Sequence, residues 1–424
     1  MLMYNLIDKK RLKQALTQDE INWIVENFVN KQISNEEMSS FLMAVCLNGM
    51  NEEETYYMTK AMQKSGETVK FDYDTVDKHS TGGLSDSTTL LLAPIMANLG
   101  IKLAKMSGRG LGTTGGTIDK LEVFDGYKVD KSFDEFNNII KEVGASIVSQ
   151  SKDIAVADKL IYALRDKTAT IASIPLIASS VMSKKLAMGS NIILLDVKYG
   201  KGAFMPTKHD AVKLAKTMVD IGKRDGKTVW AVISNMNIPL SDGVGCAQEV
   251  YSVISTMKGC DNNLLKVTKE LAVNLYVMAT GADRKTAELK VSETINNGII
   301  DKFKEIIQAH GGSIDVIDKQ ELLLNTSNVI TINASESGYI ADIDALEIAK
   351  FVMQLKSKVG ADRTKFQGVL LKVSYGDKIL EGDALVTIYT DTKLTISDKN
   401  DIRNVFKITP KKPKKLKLIE KVVK

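Results

Sequence analysis

The sequence of 424 residues is poor in cysteine and arginine, and both shortages limit what kind of protein it can be. The three cysteines, Cys46, Cys246 and Cys260, are too few and too scattered for a disulfide framework or a zinc site, so we interpret them as reduced core residues. Among the basic residues only seven are arginine, which leaves few candidates for bidentate recognition of carboxylates or phosphates.

Long apolar runs are also missing. The longest, Leu90 to Leu99, contains Pro94 and Asn98 and is far shorter than the ~20 residues that span a bilayer. The first residues lack a signal peptide's order of basic region, apolar core and cleavage site. The sequence therefore predicts a cytoplasmic protein without a membrane partner.

What is present describes a globular protein with sizeable cores. The composition is 44% hydrophobic and 26% charged, which excludes disorder across the chain and allows two or three domains.

The net charge of +5 is unevenly distributed. Residues 407–424 contain eight lysines and one glutamate, which leaves about −2 for the rest of the chain. The body therefore lacks the footprint of a nucleic-acid-binding protein. Leucine and valine alternate with lysine in the tail, which favours a solvated edge strand over an RNA- or phosphate-binding arm.

The first 65 residues predict helices. Thr17 with Glu20 and Ser34 with Glu37 are capping-box pairs, and a third helix is expected from about Asn51 to Lys64. Such a small helical unit needs a partner surface, and we expect helix-to-helix dimerisation.

From about residue 70, short apolar runs alternate with helices, which predicts an α/β architecture with a largely parallel sheet. We expect helices over 86–99, 118–123 and 209–222, and strands over 101–106, 146–149, 192–197 and 228–233. Residues 158–190 interrupt this alternation with two helical stretches. After residue 330 the pattern indicates a separate α+β domain around one amphipathic helix near 344–357.

Two glycine-rich segments are the most informative part of the chain: residues 77–83 (DKHSTGG) and residues 107–117 (SGRGLGTTGGT). Glycines let backbone N–H groups approach an anion, a helix N-terminus adds a favourable field, and serine and threonine hydroxyls complete the contacts. Lys78 adds a full positive charge. Together the two segments predict a phosphate site.

These segments have three other possible interpretations. Residues 110–115 match the GxGxxG pattern of dinucleotide folds, but the helix that follows is too short for a βαβ unit. A P-loop is disfavoured because no Gly-Lys-Ser/Thr ends the segment. A purely structural glycine turn remains open for either segment alone.

A second polar cluster lies downstream. Arg165 stands in YALRD, and Ser180 and Lys184 share one face of a predicted helix. Alone, these residues would more often be an ordinary solvated surface. Together with His79 they could form a polar pocket for a planar heterocycle.

Six ordered blocks carry a resemblance that spans almost the whole chain: DKHSTGG (77–83), KMSGRGLG (105–112), TGGTIDKLE (114–122), ADKLIYALRD (157–166), SIPLIASSVMSKKLA (173–187) and DVKYGKGAFM (196–205). The chain resembles the pyrimidine-nucleoside phosphorylase / thymidine phosphorylase family. The resemblance implies reversible phosphorolysis of pyrimidine nucleosides (uridine, deoxyuridine, thymidine) to free base and (deoxy)ribose 1-phosphate, with inversion at C1′.

The resemblance also implies an architecture. A helical, dimerising domain would comprise residues 1–65 plus about 160–190. A larger α/β domain, with a mixed and largely parallel sheet, would comprise 70–158 plus 191–330. Residues 331–424 would form the C-terminal α+β domain.

Roles of individual residues follow from the same resemblance. The phosphate-binding residues would be Lys78, Ser80, Thr89, Lys105, Ser107 and Thr117. Arg165, Ser180 and Lys184 would bind the base. His79, Arg165 and Lys184 would be catalytic, with a protonated His79 near the base O2 as the proton donor.

Some positions depart from the family. Thr113 replaces a usual histidine and Ser85 a usual glycine. Lys105 matches broad-specificity members, where strict thymidine phosphorylases commonly carry methionine.

No organic cofactor is expected, and inorganic phosphate is the co-substrate. In bacterial relatives a potassium ion would lie at the positions of Ser85, Ser87, Leu240, Gly243 and Ser252. Ser252 stands where the family has a glutamate, and Glu249 is one helical turn away, which puts this K⁺ site in doubt.

Three other functions stay open at this point: a strict thymidine phosphorylase, a phosphoribosyltransferase of the same fold group, and a non-catalytic nucleotide- or RNA-binding protein. The phosphoribosyltransferase would need a carboxylate-rich magnesium motif, which we do not find in the sequence.

Overall fold

The computed structural model describes residues 1–110, 115–151 and 153–424. The helices in the described residues are α1 Met3–Arg11, α2 Gln18–Val29, α3 Asn35–Asn48, α4 Glu52–Lys64, α5 Thr88–Asn98, α6 Thr117–Leu121, α7 Phe133–Val143, α8 Val156–Lys167, α9 Ile174–Ala187, α10 Lys208–Arg224, α11 Cys246–Met257, α12 Asn263–Thr280, α13 Arg284–Asn296, α14 Ile300–Ala309, α15 Asp315–Asp318, α16 Ala345–Ser357 and α17 Ile396–Asn404. The strands are β1 Val76–Ser80, β2 Leu103–Ser107, β3 Ala145–Ser149, β4 Ile192–Tyr199, β5 Thr228–Asn235, β6 Gly243–Val244, β7 Asn328–Asn333, β8 Gly338–Ile343, β9 Gly368–Leu371, β10 Lys378–Ile379, β11 Ala384–Thr390, β12 Phe406–Thr409 and β13 Ile419–Val423.

The N-terminal helices begin where the capping pairs predict. Thr17 and Glu20 form a reciprocal capping box at α2, and Ser34 and Glu37 form one at α3. These helices share a core with the helices of the interrupting segment, because Ala157, Ile161 and Leu176 pack into the same apolar cluster.

The central sheet has the strand order β13-β5-β4-β1-β2-β3 within the described residues. All neighbours from β5 to β3 are parallel, and β13 joins β5 antiparallel. Apolar clusters cover both faces of the sheet, as parallel sheets require. The predicted α/β class and the mixed, largely parallel sheet are confirmed.

Two boundaries differ from the prediction for physical reasons. Helix α5 begins at Thr88 rather than at residue 86, because Ser85 has φ +57° and the Asp86 carboxylate accepts the Thr88 N–H (3.3 Å). Helix α6 is only five residues long.

The C-terminal region forms two small antiparallel sheets near α16, in the orders β10-β8-β12 and β6-β9-β11-β7, and β6 joins the second sheet from the α/β part of the chain. The last strand does not stay with that region. β13 crosses to the central sheet and becomes its edge strand, with Val423 buried and Lys421 exposed. The edge-strand interpretation of the lysine-rich tail is confirmed.

Candidate active site

The two glycine-rich segments start at neighbouring strand ends. Parallel β1 and β2 deliver His79, Ser80 and Ser107 to the same edge of the sheet, the carboxyl edge. The chain runs from β1 to β2 and β3 on one side and returns to β4 on the other, and open α/β sheets bind their ligands at such a reversal.

Side chains alternate along β1, so its residues face α5 on one side of the sheet and α9 on the other. Lys78 and Ser80 face α5, where the Lys78 ammonium donates to the Thr88 hydroxyl (2.7 Å) and the Ser80 hydroxyl donates to Asp86. Asp77 faces the other way and accepts a hydrogen bond from Lys185 of α9 (2.8 Å). His79 shares that face, so it lies toward the helical side of the molecule.

One cleft of about 740 Å³ contains nearly all the predicted site residues. From the α/β side its walls include His79, Ser80, Thr89, Lys105, Ser107 and Thr117; from α8 and α9 they include Arg165, Ser180 and Lys184. The arrangement therefore sets the glycine-rich segments opposite an Arg/Ser/Lys wall.

Three hydroxyls on the α/β side are available to a ligand. Within the part of the chain that the structure describes, the hydroxyls of Thr89, Ser107 and Thr117 have no protein hydrogen-bond partner, and all three line the cleft. Ser80 differs, because its hydroxyl donates to Asp86 and accepts the Gly82 N–H (3.0 Å). Hydroxyl donors facing a common space suit an oxyanion.

Lysines concentrate positive charge behind these hydroxyls. Burial, followed by the nearby ammonium groups of Lys185 and Lys78, holds the pKa of Lys105 well below its usual value. Among the described residues no carboxylate forms an ion pair with Lys105, whereas Lys185 pairs with Asp77. An incoming anion would supply the missing countercharge.

Lys78 itself does not line the cleft. It is 1% exposed, and it lies 3.5 Å from Asp196, which also pairs with Lys198 (2.7 Å). Burial opposes ionisation of the neighbouring Asp86, but Lys198 and Lys78 hold its pKa well below the usual value. A direct phosphate contact by Lys78 stays a prediction, and its structural surroundings are this ion-pair network.

Helix dipoles contribute less than the sequence analysis supposes. Helix α6 is a single short turn, and the Asp119 side chain already accepts the Gly116 N–H at its start (2.8 Å). The dipole of α6 therefore adds little to the attraction for an anion on this wall.

On the opposite wall, Lys184 is held by two partners. Its ammonium donates to Asp158 Oδ2 (2.5 Å) and to the Ser180 hydroxyl (3.2 Å). Asp158 is nearly fully buried, and its Oδ1 has no partner in the described structure. The Tyr162 ring lies 5.9 Å from the ammonium and forms part of the same wall.

Arg165 is more deeply engaged in the fold than the sequence suggests. Its guanidinium donates to the carbonyls of Thr170 (3.2 Å), Ile171 (2.7 Å) and Leu176 (3.0 Å), and so holds the connection between α8 and α9. These bonds use three of its five N–H donors, and Arg165 also lines the cleft.

The surroundings of His79 favour its neutral form. Burial, then the charges of Lys185, Lys105, Lys184 and Lys78, hold the pKa of His79 well below 6.5. These surroundings therefore disfavour the protonated His79 that the sequence predicts at physiological pH. The sequence alone does not reveal that the fold brings four lysines around this imidazole.

Comparison with known proteins agrees with this geometry. Family models described as "Glycosyl transferase family, helical bundle domain" and "Glycosyl transferase family, a/b domain" match residues 4–66 and 72–301. The chain is 42% identical over 400 residues to the pyrimidine-nucleoside phosphorylase of Geobacillus stearothermophilus, covering 92% of each chain. It is 41% identical to those of Staphylococcus haemolyticus and Bacillus subtilis, again with 92% of each chain covered.

The chain belongs to the pyrimidine-nucleoside phosphorylase family. The resemblance inferred from the sequence is confirmed. Among solved structures, the anthranilate phosphoribosyltransferase of Thermus thermophilus matches with a TM-score of 0.60 and 16% identity, covering 72% of this chain and 99% of that one. At that identity the match shows a shared fold and no shared activity.

The residues that correspond to the family's K⁺ site fit a cation poorly in this phosphorylase family member. The Ser85 hydroxyl donates to the Gly243 carbonyl (2.5 Å), and the Ser252 hydroxyl is buried without a partner in the described structure. The Ser87 hydroxyl turns instead to Glu249 (2.9 Å).

Glu249 supplies the nearby carboxylate, but Lys120 already neutralises it. The Lys120 ammonium lies 2.7 Å from Glu249 and donates to the Asp86 carbonyl (2.8 Å). Of the other predicted ligands, Leu240 is buried and provides only its backbone carbonyl. No step of the reaction is therefore assigned to a metal ion.

Of the two unusual positions, Ser85 has a structural explanation and Thr113 lies outside the described residues. Ser85 has φ +57°, the left-handed conformation that glycine adopts without strain, which accounts for glycine at this position in relatives. Its hydrogen bond to Gly243 offsets part of the strain.

Several residues of the cleft were not predicted as site candidates, among them Asp158, Tyr162 and Phe204. All three lie in the quoted family blocks, but no spacing rule links Asp158 to Lys184, 26 positions away. Phe204 lines the cleft and is half exposed, which the sequence alone does not reveal.

Proposed function

We propose that this protein catalyses the reversible phosphorolysis of pyrimidine nucleosides to free base and (deoxy)ribose 1-phosphate. One observation carries the proposal. A single cleft sets the hydroxyls of Ser107 and Thr117, from the second glycine-rich segment, opposite the Arg165/Ser180/Lys184 wall. The names of the relatives, aligned over almost the whole chain, agree with this reaction.

The roles divide between the two walls. Ser107, Thr117 and Thr89, with Ser80 and Lys105, hold the phosphate by hydrogen bonds and charge. The remaining N–H groups of Arg165, the Ser180 hydroxyl and the Lys184 ammonium hold the polar edge of the pyrimidine.

The chemistry needs no covalent enzyme intermediate. A phosphate oxygen attacks C1′ as the C1′–N1 bond breaks, and the bonding electron pair leaves with the base. Positive charge develops on the sugar next to the phosphate, and negative charge develops on the base next to Lys184 and Arg165. Attack from the side opposite the base gives inversion.

The proton balance closes with a neutral His79. The phosphate enters as the monohydrogen dianion, and its proton ends on the departing base. His79 donates its N–H proton to the base and accepts the phosphate proton at its other ring nitrogen. The dianion also offsets the lysine charges that depress the pKa of His79, so the imidazole becomes a better proton acceptor once phosphate is bound.

Substrate breadth is proposed from Lys105, which lines the cleft beside the phosphate residues. Its ammonium can bond a ribose 2′-hydroxyl, so uridine, deoxyuridine and thymidine should all react. A comparison of kcat/KM for uridine and thymidine tests this proposal, and absence of uridine turnover would leave a strict thymidine phosphorylase.

The assembly we propose is a homodimer formed through α1 and α3. These adjacent helices expose Leu2, Tyr4, Leu12 and Leu47, each more than half accessible. Such a patch is typical of a protein interface. Light scattering of the wild type and of Leu47→Glu should give a dimer and a monomer. A monomeric wild type would refute this assembly.

No helix in the described residues is long and apolar enough to cross a membrane. The cytoplasmic location stays a prediction of the sequence.

The direct test of the reaction is incubation of uridine or thymidine with the protein, with and without phosphate. Base release that requires phosphate supports the proposal. Phosphate-independent release would indicate hydrolysis, and no release from either nucleoside would refute the proposed reaction.

A further inference from the structure

Asp119, in the short helix α6, joins the two ends of the second glycine-rich segment. Its Oδ2 atom accepts the backbone N–H of Gly110 (2.7 Å) and that of Gly116 (2.8 Å). Its Oδ1 atom lies 3.4 Å from the Arg109 guanidinium. One carboxylate oxygen therefore bridges two backbone points six residues apart.

This bridge lies between two of the unpartnered hydroxyls. Gly110 follows Ser107 by three residues, and Gly116 directly precedes Thr117. Holding Gly110 close to Gly116 therefore restricts the separation of Ser107 and Thr117. Because hydroxyls that hold one oxyanion must converge within hydrogen-bond reach, their separation decides how well the site fits phosphate.

The close approach of the two segment ends also depends on the absence of a side chain at Gly116. A Cβ there would lie 2.4 Å from the Gly110 nitrogen and 2.6 Å from the Gly108 oxygen. Its φ of −79° is one that any residue adopts, so the requirement for glycine comes from this contact alone.

The charge of Asp119 argues against a role in attraction. A carboxylate near a phosphate site repels the ligand, so charge alone would make Asp119 unfavourable there. A carboxylate at this position is explained if the geometry it imposes outweighs that repulsion.

We propose that Asp119 is a positioning residue for phosphate: by tying Gly110 to Gly116 it sets Ser107 and Thr117 at the separation that binds the oxyanion. This inference rests on the proposed phosphorolysis. On electrostatic grounds alone, removal of Asp119 should lower the KM for phosphate. The proposal predicts that removal raises it.

The experiment measures KM for phosphate and KM for uridine separately in Asp119→Ala and Asp119→Asn. Asp119→Ala should raise the KM for phosphate about tenfold or more, with the KM for uridine at saturating phosphate within about twofold. Asp119→Asn keeps an oxygen that can accept both N–H groups and should stay within about threefold of the wild type for both constants.

A second variant covers the case in which Asp119→Ala does not fold. Gly116→Ala keeps the carboxylate but forces the segment ends apart, and it should show the same selective rise in the KM for phosphate. Asp398→Ala is the matched control, because Asp398 caps α17 from the same position, accepting the Thr395 N–H (2.8 Å), and is not among the residues that line the cleft. Both of its KM values should equal those of the wild type.

The results discriminate clearly. A KM for phosphate that falls, or rises less than about fivefold, in Asp119→Ala or in a folded Gly116→Ala overturns the proposal. So does an equal rise in both KM values, which would indicate general loosening. Because these constants are compared with those of an active wild type, failure here is distinct from failure of the proposed function.

Discussion

Lys184 carries a proposed catalytic charge and a structural ion pair at once, and its replacement by methionine removes both. The ammonium lies 2.5 Å from Asp158 and lines the cleft where the base is proposed to bind. Its loss removes stabilisation of the leaving base, for which we expect about 2–4 kcal/mol, by analogy with the loss of an oxyanion donor. This corresponds to a fall in kcat of roughly 30- to 900-fold.

The same change should weaken the fold. Asp158 is 3% exposed, and without Lys184 its carboxylate is left buried and unpaired. Breaking a fully buried pair costs about 3–5 kcal/mol, and because the Lys184 side chain is 18% exposed we expect about 2 kcal/mol. Urea denaturation measures this loss, and steady-state phosphorolysis of uridine measures the catalytic one.

Two further variants keep these effects apart. Lys184→Met/Asp158→Asn removes the unpaired charge, so it should recover most of the lost stability without recovering activity. Lys10→Met breaks a buried pair with Glu54 (2.7 Å) outside the cleft and should lose stability without losing activity per folded molecule. The account is refuted if Lys184→Met retains kcat within about threefold, or if the double variant regains wild-type activity.

Three other predictions address charge, cation and tail. Because burial, Lys185 and Lys78 hold the pKa of Lys105 well below its usual value, its ammonium should lose the proton at a lower pH than an ordinary lysine does, so the KM for phosphate should rise with pH in the wild type. Lys105→Gln should lack this rise, and an equal slope in both proteins would contradict the prediction. Lys120 neutralises Glu249 beside Ser85 and Ser87, so we expect no requirement for a cation at this site. Phosphorolysis rates in potassium, sodium and Tris salts of equal ionic strength should agree within about twofold. Strict dependence on potassium would show that the cation site functions. Deleting residues 418–424 removes β13, whose Glu420 also accepts a hydrogen bond from Tyr199. The deletion should lower the free energy of unfolding by about 3 kcal/mol. An unchanged urea midpoint would show that the strand adds nothing to stability.

The fold was largely predictable because its signals are local. The Thr17/Glu20 and Ser34/Glu37 pairs determine where two helices begin, and apolar runs such as residues 192–197 are read within one strand. Alternating leucine, valine and lysine likewise predicted an edge strand in the tail. Its partner strand was not predictable, because β13 pairs with β5 about 190 residues earlier in the chain.

The sequence predicted which candidate residues would lie near one another, but not the charges around them; their roles in binding stay predictions. Motifs placed Ser107, Thr117 and Lys184 in one cleft, as the structure does. The depressed pKa of His79 and the burial of Lys78 arise from residues that the fold brings together, such as Lys185 with Asp77, which lie 108 positions apart. Long-range ion pairs of this kind leave no spacing pattern in a single sequence.

Phosphorus-31 NMR of the protein with uridine and phosphate tests the central claim most directly, since it observes the bond that the cleft is proposed to form. The account predicts that the phosphate signal declines as one new ester signal appears, that of the α-anomer of ribose 1-phosphate, in step with free uracil. Uracil release with an unchanged phosphate signal, or formation of the β-anomer, would contradict it.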